Sequence, residues 1–184
     1  MVDSNICVDM NVSALVSFLD QVHYNDTNYP GRDARLEALN ETWKAVAQHF
    51  ERHIRDGNLR IETKKMEAGM RTAILFVLYT MPKLPQQTKV DVSIFFSYAA
   101  LVDDNIACAS SNTPEANIDT WLDDLVAGKE QRHPFWRLLN THLAKLFEHY
   151  SSFCRLAIYR GTLDWYHGSW IESRDFLYVS ANEP

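Results

Sequence analysis

Through most of this chain apolar side chains return every three or four residues, and nowhere do they alternate with polar ones over the length of a strand. A β-strand needs period two and a helix period 3.6, so the pattern confines the chain to an all-α fold. Turn formers punctuate it legibly. The spacing predicts helices over residues 11–24, 33–54, 63–81, 87–107, 114–128, 134–150 and 152–170. The first stops at the run from Asn25 to Gly31, and the second at Asp56-Gly57-Asn58. The third starts near Thr63, read as an N-cap, and ends before Pro82 and Pro85. Thr113 and Pro114 form a cap and first helical residue, and Gly128 closes that helix. Residues 66–81 and 90–101 are apolar around much of their circumference, which places them at the centre of the fold. Residues 173–184 carry no clear helical face.

With 184 residues the chain is long enough to bury a real core, and the expectation is one domain or part of one. A net charge of -6 with no basic block argues against nucleic acid as a partner, since phosphate recognition draws on clustered Lys and Arg. Cys7, Cys108 and Cys154 are far apart and form no ligand pattern, as expected of free thiols in a reducing compartment. No basic segment followed by an apolar one opens the chain, and no apolar run reaches the length of a membrane span. The expected location is the cytoplasm.

The candidate chemistry lies at Asp103 and Asp104, which end the apolar, aromatic-rich run from Phe95 to Val102. Carboxylates are rarely buried unless paired or metal-bound, so an acidic pair at the rim of an apolar pocket is a candidate site for a hard cation such as Mg2+. On a helix Phe96 falls two turns below Asp103, with Ala99 and Ala100 between them. This puts an aromatic wall under a carboxylate rim. It suits metal ions gripping a diphosphate above while a hydrocarbon tail lies below, and aromatic faces such as Phe96 or Tyr98 can stabilise a carbocation. The alternative reading is a helix that simply surfaces there, with both acids solvated and Phe95, Phe96 and Tyr98 as ordinary core.

The strings flanking this helix narrow the choice. The chain resembles the fungal trichodiene synthase family of class I sesquiterpene cyclases. The resemblance rests on the string from His23 to Tyr29, on Leu101-Val102-Asp103-Asp104, on the string from Leu122 to Trp136, and on that from Thr162 to Glu172. These fall in the family's order and spacing. The resemblance implies a class I terpene synthase helical fold that binds farnesyl diphosphate with Mg2+, ionises it and cyclises the allylic cation. By position Asp103 is the leading Mg2+ ligand and catalytic residue, with Asp104 beside it, and Phe96 falls where the family lines its cavity with an aromatic residue; Tyr98 is assigned to the substrate cavity for its aromatic face. A possible homodimer is also implied. Asp123 and Asp124 match a structural feature of a neighbouring helix and are read as a solvated or capping face.

Two departures qualify the resemblance. Ala107 stands where the aspartate-rich motif usually carries a further acid. The second metal motif of the family, an Asn or Asp followed at four-residue spacing by Ser or Thr and then Glu, is not found in the chain. The match is to the N-terminal half of the family pattern, with residues 172–184 divergent. The expectation is therefore a sesquiterpene cyclase portion inactive alone. The alternative is a non-catalytic helical relic or interaction module. A prenyl chain-elongating transferase would need two full aspartate-rich motifs, and the quoted strings point away from it.

Overall fold

A computed structural model describes residues 31–107 and 118–180, together with Ser17, and side chains over 31–102 and 120–171. The predicted helix over 11–24 lies outside the described residues. What is described consists of six helices and no strand: α1 (Arg32–Arg55), α2 (Thr63–Thr80), α3 (Gln86–Ala107), α4 (Ile118–Val126), α5 (Pro134–Phe147) and α6 (Ser152–Ser180). The all-α expectation holds for these residues.

Each helix follows from its apolar stripe and its ends. In α1, Thr42, Val46 and Phe50 recur at four-residue spacing and are buried, while Arg52, His53 and Arg55 in the last turn complement the negative end of the helix dipole. Gly57 ends the turn at φ +74°, a conformation costly for any residue with a Cβ. In α2 the buried set is Met66, Gly69, Met70, Ala73, Ile74 and Val77, an unbroken three-and-four stripe. Its N-cap position is held by Glu62, with no side-chain capping bond, and Thr63 is already the first helical residue. His133 caps α5 by accepting the Phe135 backbone N–H at 3.2 Å, with Pro134 at the start of the helix.

α3 is the central element. From Thr88 to Val102 every side chain but Phe96 and Ala100 is buried, and the helix packs against α2, α5 and α6. α2 and α3 run antiparallel and close together at Gly69, where a Cβ would lie 3.6 Å from that of Ala100 and 3.8 Å from Leu101. Farther along, Phe76 of α2 meets Phe96 of α3. A second aromatic cluster joins α4, α5 and α6: Trp121 lies 5.5 Å from Trp136 and 4.9 Å from Tyr166, all three buried. These residues sit inside or beside the strings that carry the family resemblance, so much of that resemblance is core.

Two expectations change. The last helix does not stop near residue 170 but continues to Ser180. No Gly or Pro intervenes between Ser169 and Pro184, and loss of an apolar face does not by itself break backbone hydrogen bonds. The Asp123–Asp124 pair is split rather than solvated as a unit. Asp123 is exposed, whereas Asp124 is buried and accepts from the Arg132 Nε at 3.0 Å and the Arg132 backbone N–H at 3.2 Å. The Arg132 bonds hold the Asp124 carboxyl below the usual carboxylate range against its burial. Its role is to fasten the turn between α4 and α5.

Candidate active site

α3 positions every predicted site residue. Asp103 and Asp104 lie in its helical backbone near the C-terminal end, and their side chains are outside the described residues. The positions that the described side chains leave partly open on α3 are Phe96 and Ala100, four residues apart. Asp103 continues that line as the seventh residue after Phe96, about 10 Å farther along the axis. Phe96 packs edge-on against Phe76 at 5.0 Å and against Phe95 at 5.6 Å. Phe76 is itself 45% exposed, and its neighbours Leu75 and Tyr79 are exposed too. Because α2 runs antiparallel to α3, the exposed Leu75, Phe76 and Tyr79 lie level with Phe96 or on the side away from Asp103, so this apolar, aromatic strip sits at the Phe96 end of the line.

Tyr98 is not part of this strip. Two residues from Phe96, it points about 200° away around the helix. It is fully buried beside Phe50 at 5.0 Å and Phe135 at 5.4 Å. Its hydroxyl pairs with His49 Nε2 at 2.9 Å, and burial pushes its pKa well above the ordinary tyrosine value. The structure brings Phe96 into line with Asp103 and sets Tyr98 apart, in the packing between α1, α3 and α5.

That packing contains a polar network that sequence reasoning missed. Asp91 is wholly buried in the first half of α3. Its carboxylate accepts from Lys145 Nζ at 2.9 Å, His149 Nε2 at 2.8 Å and Gln87 Nε2 at 3.1 Å. Its backbone carbonyl accepts from His142 Nε2 at 2.7 Å. Burial alone would push the Asp91 carboxyl up, but the bonds from Lys145, His149 and Gln87 prevail and hold it below its ordinary value. The available signal was an acid set between Val90 and Val92 in an apolar run.

Beside Asp91, three imidazoles crowd together. His49 lies 4.7 Å from His53 and 5.5 Å from His142, ring centre to ring centre. Burial, followed by the charges of His142, His53, Lys145 and Arg52, pushes His49 down to about 3. Burial also lowers His53 and His142. Above pH 6.5 both folded and unfolded chains hold these groups neutral. Below it the unfolded chain takes up protons that the folded one resists, so stability falls as pH drops from 6.5 toward 3. The expected loss from His49 is at most about 1.4 kcal/mol per pH unit. Urea midpoints between pH 7.5 and 4.5 check this: His49→Gln should show a shallower pH dependence than the parent protein, and an unchanged slope would remove His49 as the cause.

Among the described residues no three His, Cys, Asp or Glu groups stand together so as to hold a metal ion, and no helix is long and apolar enough to cross a membrane. The donor chemistry at the end of α3 is that of two adjacent carboxylates, hard oxygen ligands of the kind that suit Mg2+ sharing its shell with phosphate oxygens and water.

Comparison with known proteins bears on the same helices. The family model described as trichodiene synthase (TRI5) matches residues 5–182. The chain is 37% identical over 161 residues to the trichodiene synthase of Paramyrothecium roridum, a match covering 88% of this chain and 40% of that protein. It is 39% identical over 164 residues to the terpene cyclase pbrA of Penicillium brasilianum, covering 89% of this chain and 39% of the relative. Against the trichodiene synthase of Fusarium cortaderiae the figures are 32% over 172 residues, 94% and 44%. The chain thus spans about two fifths of the length of these relatives. With an all-α architecture among its described residues and a family match running through nearly all of its length, the chain belongs to the trichodiene synthase family.

Proposed function

We propose that the chain supplies the aspartate-bearing part of a sesquiterpene cyclase acting on farnesyl diphosphate. The observation that carries this reading is that Phe96 and Ala100 are left partly open on α3, beside the exposed aromatic residues of α2, on a line that Asp103 continues by position along the helix. Asp103 and Asp104 would hold Mg2+, with Asp103 as the leading ligand. Bound there, the metal would neutralise charge on the diphosphate and make it a better leaving group. The chain's own residues do the remainder. Phe96 and Phe76 offer an apolar surface to a prenyl tail, and their ring faces can stabilise positive charge on it. Ala100, between Phe96 and Asp103, packs beside Gly69 and lets α2 approach α3 closely there. Tyr98, committed to His49, contributes to holding α3 rather than to contact with substrate.

A second reading, a non-catalytic helical protein that engages a partner, is favoured by the exposure of large apolar residues: Tyr79 at 62%, and Phe153 and Leu156 of α6 at 81% and 68%. One assay separates the two. Purified, folded protein is titrated with farnesyl diphosphate with and without Mg2+, and binding, diphosphate release and volatile products are followed. Mg2+-dependent binding that Asp103→Asn weakens supports the cyclase part, with or without release; folded protein in which neither Mg2+ nor Asp103→Asn changes binding supports the second reading.

A further inference from the structure

A cleft of about 550 Å³ opens between α1, α3 and α5, lined in part by Arg52, His53, Asp91 and Lys145. We propose that it is a binding site for a phosphoryl oxyanion, held by Arg52 and His53 from α1 and Lys145 from α5.

The charge distribution is the first ground. The lining carries Arg52 and Lys145 against one acid, Asp91. Asp91 is already engaged, with Oδ1 on Lys145 and Oδ2 shared by His149 and Gln87. Arg52 has no acidic partner among the described residues. In a protein of net charge -6 this is a local concentration of positive field. His49 registers the field, since Lys145 and Arg52 both oppose its protonation in addition to burial.

The second ground is donor supply. His53 Nδ1 is buried with no hydrogen-bond partner, a state that costs free energy unless something fills it. Lys145 spends one N–H on Asp91, and an ammonium has three. The guanidinium of Arg52 offers a planar fork suited to two oxygens of one group. Donors arriving from two helices match the three oxygens of a terminal phosphoryl group better than the two of a carboxylate. Asp91 is twelve residues before Asp103, about 18 Å along α3, so this cleft and the proposed Mg2+ site can be tested apart.

The full chain is titrated with inorganic phosphate and with diphosphate at constant ionic strength in EDTA, which silences any metal-dependent binding at Asp103. Imidazole resonances are followed by NMR. Saturable shifts in His49, His53 and His142, with His167 of α6 unmoved, are expected. Arg52→Gln should weaken binding at least tenfold while the melting temperature moves by no more than about 4 °C, because Arg52 is exposed and its part in folding is the modest helix-dipole interaction of the last turn of α1. His53→Gln should weaken it as well, through a second group. Acetate should produce no saturable shift. Non-saturating shifts, undiminished affinity in Arg52→Gln, or acetate binding as tightly as phosphate would each overturn the proposal.

Discussion

Asp91→Ala is expected to lower the unfolding free energy by about 3 kcal/mol, and the melting temperature by about 6–12 °C for a chain of this size. The carboxylate is wholly buried and is the common acceptor for Lys145, His149 and Gln87. Removing it leaves those donors unmatched against a buried position. Lys145 is 53% exposed at its side chain and can return to water, which places the cost at the low end of the range for breaking a buried pair. Asp91→Asn keeps the shape and one acceptor oxygen, and should cost about half as much. Asp164→Ala is the contrast: its pair with Arg160 is exposed on both sides and 3.6 Å apart, so its loss should stay within about 0.5 kcal/mol. Thermal and urea unfolding of the three variants decide the matter. If Asp91→Ala were no more costly than Asp164→Ala, the network would not be fastening α3 to α5.

That fastening bears on function because α3 is one rigid element. Its first half is tied to α5 through Asp91 and its middle to α1 through Tyr98 and His49, while its far end carries Asp103. Small displacements at the tied end are carried to the acidic end, since a continuous helix transmits rotation and translation along its axis.

The helical class and the central position of α2 and α3 were legible because period-3.6 burial is written directly into residue order. The stops at Gly57 and Gly128 were legible for the same kind of reason: both adopt positive φ, which singles out glycine. The far end of α6 was not, because residues 171–180 have no apolar stripe, and a helix can continue on backbone bonds alone. At the site, Asp103 and Phe96 share a line by simple spacing. The same spacing puts Tyr98 on another side of the helix, where it is buried against Phe50 and Phe135. The buried roles of Asp91 and Asp124 depended on partners 54 and 8 residues away, Lys145 and Arg132, and long-range pairing leaves little trace in a single sequence. The His49–His53 pair, four residues apart on α1, was visible as spacing, but the third imidazole, His142, is brought to it only by packing.

The account turns on Asp103. Affinity of the purified chain for an unreactive farnesyl diphosphate analogue, with and without Mg2+, is the most direct measurement of its role. Measured in the Arg52→Gln chain, in which the metal-independent cleft is weakened, binding should require Mg2+, and adding Asp103→Asn should weaken it by about 100-fold, equivalent to about 2.7 kcal/mol. Asp123→Asn, on an exposed position of α4, should leave it within about twofold. Binding that is indifferent to Mg2+, or equal losses in the two variants, would contradict the assignment of the α3 terminus as the metal and diphosphate site.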